Sequence, residues 1–289
     1  MTGSPEVDAA IAGILGLLIG SFLNVVIHRM PKMLERQWAA ECAALQQADG
    51  CTDASSSVDE SAPYNLMTPR SACPHCGHVI RWYQNIPVVS YLGLRGKCAA
   101  CGARIGLRYP VIELTTGLLF AWCGWQWGLT MTGAMWAGFS ATVVALAAID
   151  WDTTLLPDDL TLPLLWAGLC GAALNWLGAA TLPDAVWGAV AGYLSLWLVY
   201  WAFKLTTGKE GMGYGDFKLF AAFGAWFGWQ ALVPIILMAS VIGAVVGLGM
   251  KFTSGLRDGG YVPFGPFLAL AGLTAMFLSP ARMLEIMGL

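Results

Sequence analysis

The chain consists mainly of long apolar runs that alternate with short polar segments. Eight runs predict helices, with bounds near 7–27, 109–127, 131–149, 160–177, 185–203, 219–229, 232–250 and 262–278. A helix needs about 20 apolar residues to cross the roughly 30 Å hydrocarbon layer of a bilayer. The pattern therefore predicts an all-α polytopic membrane protein with about eight transmembrane helices, of which the sixth is the shortest.

Composition points to the same class. Of the 289 residues, 57% are hydrophobic and 11% are charged, whereas a soluble domain carries roughly 25% charged residues. The net charge is −3, and the chain has no basic stripe that could neutralise phosphates, so nucleic acid is not an expected partner. The lipid bilayer is the expected partner, and the oligomeric state leaves no signal in the sequence.

The distribution of basic residues predicts how the chain is oriented across the membrane. Fourteen of the fifteen Lys and Arg fall in alternate loops on one side, and Arg282 is the exception. By the positive-inside rule, the N-terminus is periplasmic and the large loop after the first run is cytoplasmic. The first run is not a cleaved signal peptide, because its basic residues follow it. The predicted divisions are a first span (1–28), a cytoplasmic loop (29–108) and a membrane domain (109–289).

The large loop has parts of different character. Residues 33–47 favour an amphipathic helix. Residues 49–61 are acidic and rich in Ser, with almost nothing to bury, and this composition predicts disorder. A compact segment that contains four cysteines follows and ends where the second span begins.

Those cysteines are spaced like the ligands of a metal site. Cys73 and Cys76 form one CxxC pair, and Cys98 and Cys101 form another after 21 intervening residues. Two such turns supply the four thiolates of a tetrahedral structural Zn²⁺ site. The cytoplasm keeps thiols reduced, which favours metal binding over disulfides. We therefore expect a zinc-ribbon-like module between the first and second spans.

Carboxylates cluster where two runs end at the cytoplasmic face. The loop after the third run carries Asp150, Asp152, Asp158 and Asp159 with no basic residue among them. The loop after the fifth run reads Gly213-Tyr-Gly215-Asp216. Acidic groups at membrane depth are costly and are functional candidates. The alternative roles are a solvated acidic turn for the first loop and a helix cap for Asp216.

Two aspartates from separate helices can form a hydrolytic site. Like charges a few ångströms apart do not both ionise easily, so the pair shares one proton. The ionised member can activate a water, and the protonated member can polarise a carbonyl. Asp150 is preferred over Asp152 for the first position, because it stands at the predicted helix end.

Several motifs together resemble the type IV prepilin peptidase family. Gly213-Tyr-Gly215-Asp216 matches the GxGD motif of intramembrane aspartyl proteases. The remaining matches, in family order, are Gly20-Ser-Phe-Leu-Asn24-Val-Val-Ile-His28-Arg29, the two CxxC pairs, Arg108-Tyr-Pro-Val-Ile-Glu113, the segment from Asp150 to Asp158, and Pro263-Phe-Gly-Pro266. The resemblance covers nearly the whole chain apart from residues 49–61.

This resemblance implies a bifunctional enzyme of the bacterial inner membrane. Asp150 and Asp216 correspond to the catalytic pair of a peptidase that removes the basic leader peptides of type IV prepilins and type II secretion pseudopilins. The family then methylates the new N-terminal amine with S-adenosylmethionine. Candidates for the methyl-donor site are Gly20, Asn24, Arg29 and Glu113.

Further expectations concern charge. The acidic loop from Asp150 to Asp159, without a basic partner, is suited to attract a basic leader. Glu113 lies inside the second span and should pair with a base such as Arg29 or Arg108.

Two functions from other classes are alternatives to the peptidase: a carboxylate-lined cation transporter, and a membrane anchor whose zinc module binds partners. Retained cleavage after replacement of either catalytic aspartate would favour these alternatives.

Overall fold

A computed structural model describes residues 4–48, 63–178, 180–209, 211–252, 262–286 and 288. The described residues form ten α-helices: α1 Pro5–Ala48, α2 Val89–Gly93, α3 Arg108–Trp127, α4 Met131–Thr153, α5 Asp158–Ala173, α6 Leu182–Thr207, α7 Tyr214–Phe227, α8 Leu232–Phe252, α9 Gly265–Phe277 and α10 Pro280–Ile286. Short 3-10 turns occupy Trp82–Asn85 and Trp229–Ala231. Within the described part, β-structure is limited to isolated bridges in the cysteine segment.

Each predicted apolar run lies largely within a helix, so the all-helical class is confirmed. Four helical segments are long and apolar enough to cross a bilayer: Pro5–Gln46, Met131–Thr153, Leu182–Thr207 and Trp229–Phe252. Gly265–Phe277 is apolar but shorter. The chain is therefore a helical membrane protein, whereas the number of eight spans stays a prediction.

Helix α1 includes the first apolar run and also residues 33–47, which are helical as expected. It runs unbroken for 44 residues and contains Pro31, which corresponds to about 66 Å at 1.5 Å per residue. A proline inside a helix removes one backbone hydrogen bond. The residues after Pro31 are mostly Ala, Leu, Glu, Gln and Arg, which are good helix formers, so the helix continues. The predicted disorder of 49–61 lies outside the described residues.

The chain divides into two compact units, Gly13–Leu118 and Met1–Ala12 with Leu119–Leu289. The smaller unit contains most of α1, the first half of α3 and the residues before α3. We call residues 63–108 the cysteine segment; it contains the four clustered cysteines and α2. The larger unit contains the helices α4 to α10. The smaller unit holds the cysteine cluster and the buried polar cluster around Glu113, and the larger unit holds the two aspartates described below.

In the larger unit, the short helix α7 is buried by its neighbours. Eleven of its 14 residues are buried, and it packs against α5 and α6. A Cβ on Gly188 of α6 would collide with the backbone of Gly224 of α7, so the two helices approach closely at glycine. On the α5 side, Nε1 of Trp226 donates to the carbonyl oxygen of Leu164 at 2.8 Å. This burial explains why the sixth apolar run is short, since protein surrounds much of it.

Aromatic side chains connect α7 to α4. The rings of Phe139 and Trp226 lie 4.8 Å apart, and those of Trp136 and Phe227 lie 5.3 Å apart. Phe139 is 1% exposed and Trp226 is also 1% exposed. Such pairs contribute beyond the area they bury. These side chains bridge α4 and α7, the two helices that carry Asp150 and Asp216, while the backbone of α4 packs mainly on α9 and α5.

Candidate active site and metal centre

Asp150 lies in the last turn of α4 and is 5% exposed. The helix ends just after it, because Thr154 takes a left-handed conformation with φ of 56°. The N–H of Thr154 donates to the carbonyl oxygen of Asp150 at 2.9 Å. The carboxyl group is therefore held at a defined helix end and is largely shielded from solvent.

Asp216 lies in the first turn of α7 and is 4% exposed. The extended residue Gly213 precedes the helix as its N-cap, and the N–H of Asp216 donates to the Gly213 carbonyl oxygen at 3.2 Å. The carboxyl groups of Asp150 and Asp216 are close enough for the charge of Asp150 to act on Asp216. The structure thus brings together two buried carboxyl groups that are far apart in the sequence.

Glycines allow backbone and side chains to approach this pair closely. A Cβ on Gly265 would lie 2.5 Å from Oδ2 of Asp150, and a Cβ on Gly215 would lie 2.6 Å from Cβ of Leu156. Both distances are too short for real carbon contacts. The first glycine therefore allows the Pro263–Pro266 motif to pack on Asp150, and the second joins the GxGD turn to the loop after α4.

The other acidic residues of the first loop are exposed. Asp152 is exposed, in contrast to the buried Asp150 two residues earlier. Asp158 accepts two hydrogen bonds from Nζ of Lys218, at 2.6 Å to Oδ1 and 2.7 Å to Oδ2. The expectation that this acidic loop has no basic partner was therefore wrong. The partner comes from α7 and lies 60 residues further along the chain.

The four predicted metal-ligating cysteines form a compact cluster. The Sγ atoms of Cys73, Cys76, Cys98 and Cys101 all lie within 4.8 Å of one another, and those of Cys73 and Cys101 are 3.8 Å apart. Tetrahedral coordination with Zn–S bonds of about 2.3 Å gives sulfur separations of about 3.8 Å. The cluster therefore fits a four-thiolate metal site.

Backbone groups of the second CxxC turn also favour the thiolate that a metal requires. The N–H groups of Cys101 and Ala100 lower the pKa of the Cys98 thiol from its ordinary value to about 6. Gly77 and Gly102, which directly follow the two pairs, have φ of 69°, a conformation that glycine adopts without strain. Both turns therefore have the backbone geometry of metal-binding knuckles.

Three of the four candidate methyl-donor residues come together in the smaller unit. A Cβ on Gly20 would lie 2.7 Å from Cα of Glu113, so α1 and α3 pack closely there. Nδ2 of Asn24 donates to the carbonyl oxygens of Gly20 and Tyr109 at 3.3 and 3.2 Å. Asn24 is 9% exposed and Glu113 is 8% exposed. The result is a buried polar cluster on two helices.

Glu113 accepts hydrogen bonds that the sequence did not indicate. Its Oε2 accepts the backbone N–H of Val88 at 2.8 Å, and the side chain of Ser21 also bonds to it. Val88 has φ of 58°, which is an outlier for a β-branched residue. Sequence analysis missed Val88, because neither its residue type nor its neighbours indicate a left-handed backbone.

Arg29 lies on the same helix but has other partners. Its guanidinium donates to the carbonyl oxygens of Asn65 and Pro69 at 2.9 and 2.6 Å. Of the two bases expected to pair with Glu113, Arg29 instead holds the start of the cysteine segment on α1. Backbone and hydroxyl donors stabilise the Glu113 carboxylate in its place.

Comparison with known proteins agrees with this architecture. The bacterial peptidase A24 N-terminal domain matches residues 14–127, and the type IV leader peptidase family matches residues 137–248. A prepilin leader peptidase/N-methyltransferase from Pseudomonas aeruginosa is 52% identical over 264 residues, which cover 91% of this chain and 88% of the relative. Proteins of the same name from Stutzerimonas stutzeri and Aeromonas hydrophila are 48% and 51% identical, covering 96% and 95% of this chain and 92% of each relative. No solved structure matches at a significant level.

A helical membrane protein that buries two neighbouring aspartates has the arrangement expected of an intramembrane aspartyl protease. Within that class, the chain belongs to the type IV leader peptidase family. The N-terminal family match includes the cysteine cluster and the Glu113 cluster, and the second match includes both aspartates.

Proposed function

We propose that the chain is a prepilin leader peptidase and N-methyltransferase whose peptidase site is Asp150 with Asp216. The observation that carries this proposal is the juxtaposition of two buried carboxyl groups at the ends of α4 and α7. The names of the relatives supply the substrate class, which is the prepilin and, by the motif resemblance, the type II secretion pseudopilin.

Cleavage follows from one proton held by the two carboxyl groups. The ionised aspartate removes a proton from a water molecule, whose oxygen attacks the carbonyl carbon of the scissile bond. The protonated aspartate gives its proton to the carbonyl oxygen. The aspartate that took the proton from water then gives it to the amine nitrogen, and the C–N bond breaks. A hydroxyl of the intermediate returns its proton to the other aspartate as the new carboxyl group forms, so that the pair again holds one proton. Burial favours the shared-proton state, because two adjacent buried carboxylates repel each other strongly.

The basic residues support a topology of about eight spans in the bacterial inner membrane. In this topology, the N-terminus is periplasmic, while the cysteine segment and both aspartates face the cytoplasm. The divisions 1–28, 29–108 and 109–289 then correspond to the first span, a cytoplasmic module and the peptidase domain. α7 counts as a span by its position in this alternation, although its 14 residues are surrounded largely by protein.

The cysteine cluster is proposed to hold one structural Zn²⁺ through Cys73, Cys76, Cys98 and Cys101. Four thiolates close the coordination shell and leave no position for a substrate. The metal would therefore stabilise the module, and it would take no part in peptide hydrolysis.

The buried cluster of Gly20, Asn24 and Glu113 is the proposed methyl-donor site, with Arg29 on the same helix. S-adenosylmethionine supplies the methyl group when it is bound. The Glu113 carboxylate fits a ligand that carries sulfonium and ammonium charges, because opposite charges in a buried site attract. Gly20 keeps the two helices close, and Asn24 links them through backbone carbonyls.

The decisive test replaces Asp150 or Asp216 by Asn and follows processing of a prepilin by gel mobility. Cleavage should fall by a factor of about 10²–10⁴. Asp152→Asn is the matched control, because it removes a nearby exposed carboxylate, and it should retain cleavage. Metal content and yield equal to those of the unmodified protein would show correct folding. Retained cleavage in either Asn variant would contradict the proposal and would reopen the transporter alternative.

A further inference from the structure

The cysteine segment carries charge of one sign. Between residues 63 and 108, there are six Arg and Lys and no Asp or Glu. A zinc ion with four thiolates has a net charge of −2 and would balance two of these six. The segment therefore keeps an excess of positive charge that other residues of the segment do not neutralise.

Two of these arginines face each other across the first cysteine hairpin. Ala72 pairs with Val79 in an antiparallel bridge, and the N–H of Ile80 donates to the Ser71 carbonyl oxygen at 2.9 Å. The same register places Arg70 opposite Arg81. Like charges directly opposite each other in such a pair are unfavourable. An anion between the two guanidinium groups would remove this repulsion.

The same two arginines line an open cavity of about 600 Å³. Trp82 and Tyr83 also line it, and Trp82 is 82% exposed. Nη1 of Arg81 donates to the hydroxyl of Tyr83 at 3.2 Å, which links the basic and aromatic groups. An exposed indole is expensive in water but favourable at a membrane interface, where Trp, Tyr and Arg side chains collect.

We propose that Arg70, Arg81, Trp82 and Tyr83 form an arginine–tryptophan surface that binds the phosphate groups of anionic phospholipids. Arg29 lies just after the apolar run of α1, and its bonds to the carbonyl oxygens of Asn65 and Pro69 hold the start of the segment there. The segment therefore begins near the level at which α1, which is long and apolar enough to cross a bilayer, leaves the lipid. Basic residues adjoining a membrane attract anionic headgroups. A basic leader peptide and the cationic S-adenosylmethionine are both repelled by this charge, so neither fits the surface.

The test uses the full-length protein in nanodiscs of phosphatidylcholine alone or of phosphatidylcholine mixed with phosphatidylglycerol. Hydrogen exchange should be several-fold slower for amides 79–86 in the anionic discs. High salt should abolish the difference, because the attraction is electrostatic. Equal exchange in both discs would overturn the proposal, and this comparison needs no variant. Inorganic phosphate added to phosphatidylcholine discs should give no protection. Protection by phosphate alone would assign the surface to a soluble anion and would also overturn the lipid assignment.

A matched pair of variants tests the location of the surface. Arg70→Gln with Arg81→Gln should remove the lipid-dependent protection. Lys97→Gln with Arg104→Gln removes the same charge from the bridged pair in the second hairpin, which does not line the cavity, and it should keep most of the protection. Equal losses in both variants would show diffuse attraction and overturn the assignment to this surface. If the first variant loses its metal, Trp82→Ala replaces it and should reduce the protection with the charges intact.

Discussion

Nζ of Lys218 in α7 lies 2.6 Å from Oδ1 of Asp158 at the start of α5. Lys218 follows Asp216 by two residues, and Asp158 follows Asp150 by eight. The ion pair therefore connects the two chain segments that carry the proposed catalytic carboxyl groups. Both partners are partly exposed, at 29% and 53%, so solvent weakens their attraction.

This exposure predicts a small effect on stability. Lys218→Met and Asp158→Asn should each lower the melting temperature slightly, and the double variant should lower it by less than the sum. A double-mutant cycle should give a coupling of about 0.2–1 kcal/mol, as for other exposed pairs. A coupling of zero in low salt would show that the pair does not hold α5 and α7 together.

The ion pair of Lys218 with Asp158 changes which carboxylate is expected to attract a basic leader peptide. Asp158 is engaged by Lys218, whereas the neighbouring Asp159 is exposed. Asp159→Asn should raise the KM for a basic prepilin leader about two- to tenfold in low salt, and the effect should fade in high salt. Asp158→Asn is the comparison and should change KM less. An unchanged KM for Asp159→Asn would reject electrostatic attraction by this loop.

Packing at Asp150 predicts that Gly265 cannot be replaced without loss of activity. In Gly265→Ala, the new Cβ would lie 2.5 Å from Oδ2 of Asp150, so the carboxyl group must move. A displacement of about 1 Å can lower the rate about 100-fold, and kcat for prepilin cleavage should fall accordingly. Gly138→Ala in α4 is the control, since its Cβ meets nothing within 4 Å. Equal kcat in both variants would show that Asp150 tolerates displacement.

If the four cysteines bind a metal, replacing one of them should impair methylation more than cleavage. Cys73→Ser removes one of four clustered thiolates, so the zinc content should fall and the cysteine segment should unfold. Methylation should be lost before cleavage, because the aspartates lie in the other unit. Cys42→Ser replaces an exposed cysteine of α1 outside the cluster and should keep the metal. Mass spectrometry of metal content checks both, and an unchanged content in Cys73→Ser would reject the site.

Two substitutions of Glu113 should distinguish the role of its negative charge from the role of its hydrogen bond to Val88. Glu113→Gln keeps a carbonyl oxygen that can accept the N–H of Val88, whereas Glu113→Ala removes the acceptor. If the carboxylate serves the methyl donor, both variants should lose methylation and keep cleavage. The Ala variant should also be less stable by about 0.5–1.5 kcal/mol, because the partly buried N–H of Val88 loses its acceptor. Normal methylation in Glu113→Gln would exclude a role for the charge.

The sequence predicts the helices well because most apolar runs are long and are bounded by polar residues. It also predicts the cysteine cluster, since CxxC spacing alone nearly determines the knuckle geometry. The apolar run and the helix predicted for residues 33–47 turn out to be parts of one helix, because hydropathy marks where apolar residues end and not where the helix ends. The partners of Lys218 and Glu113 were missed. They come from distant segments, and single-sequence patterns do not encode which loops meet.

Helix α7 is too short to cross a bilayer by itself, at about 21 Å for its 14 residues. Its first five residues also include Asp216 and Lys218, which resist transfer into lipid. During biosynthesis, transfer of α7 from water into lipid therefore releases little free energy. Stable insertion of α7 depends on packing against α5 and α6. Assembly of the proposed peptidase site is consequently a late event, completed when the chain already has its neighbouring helices in the membrane.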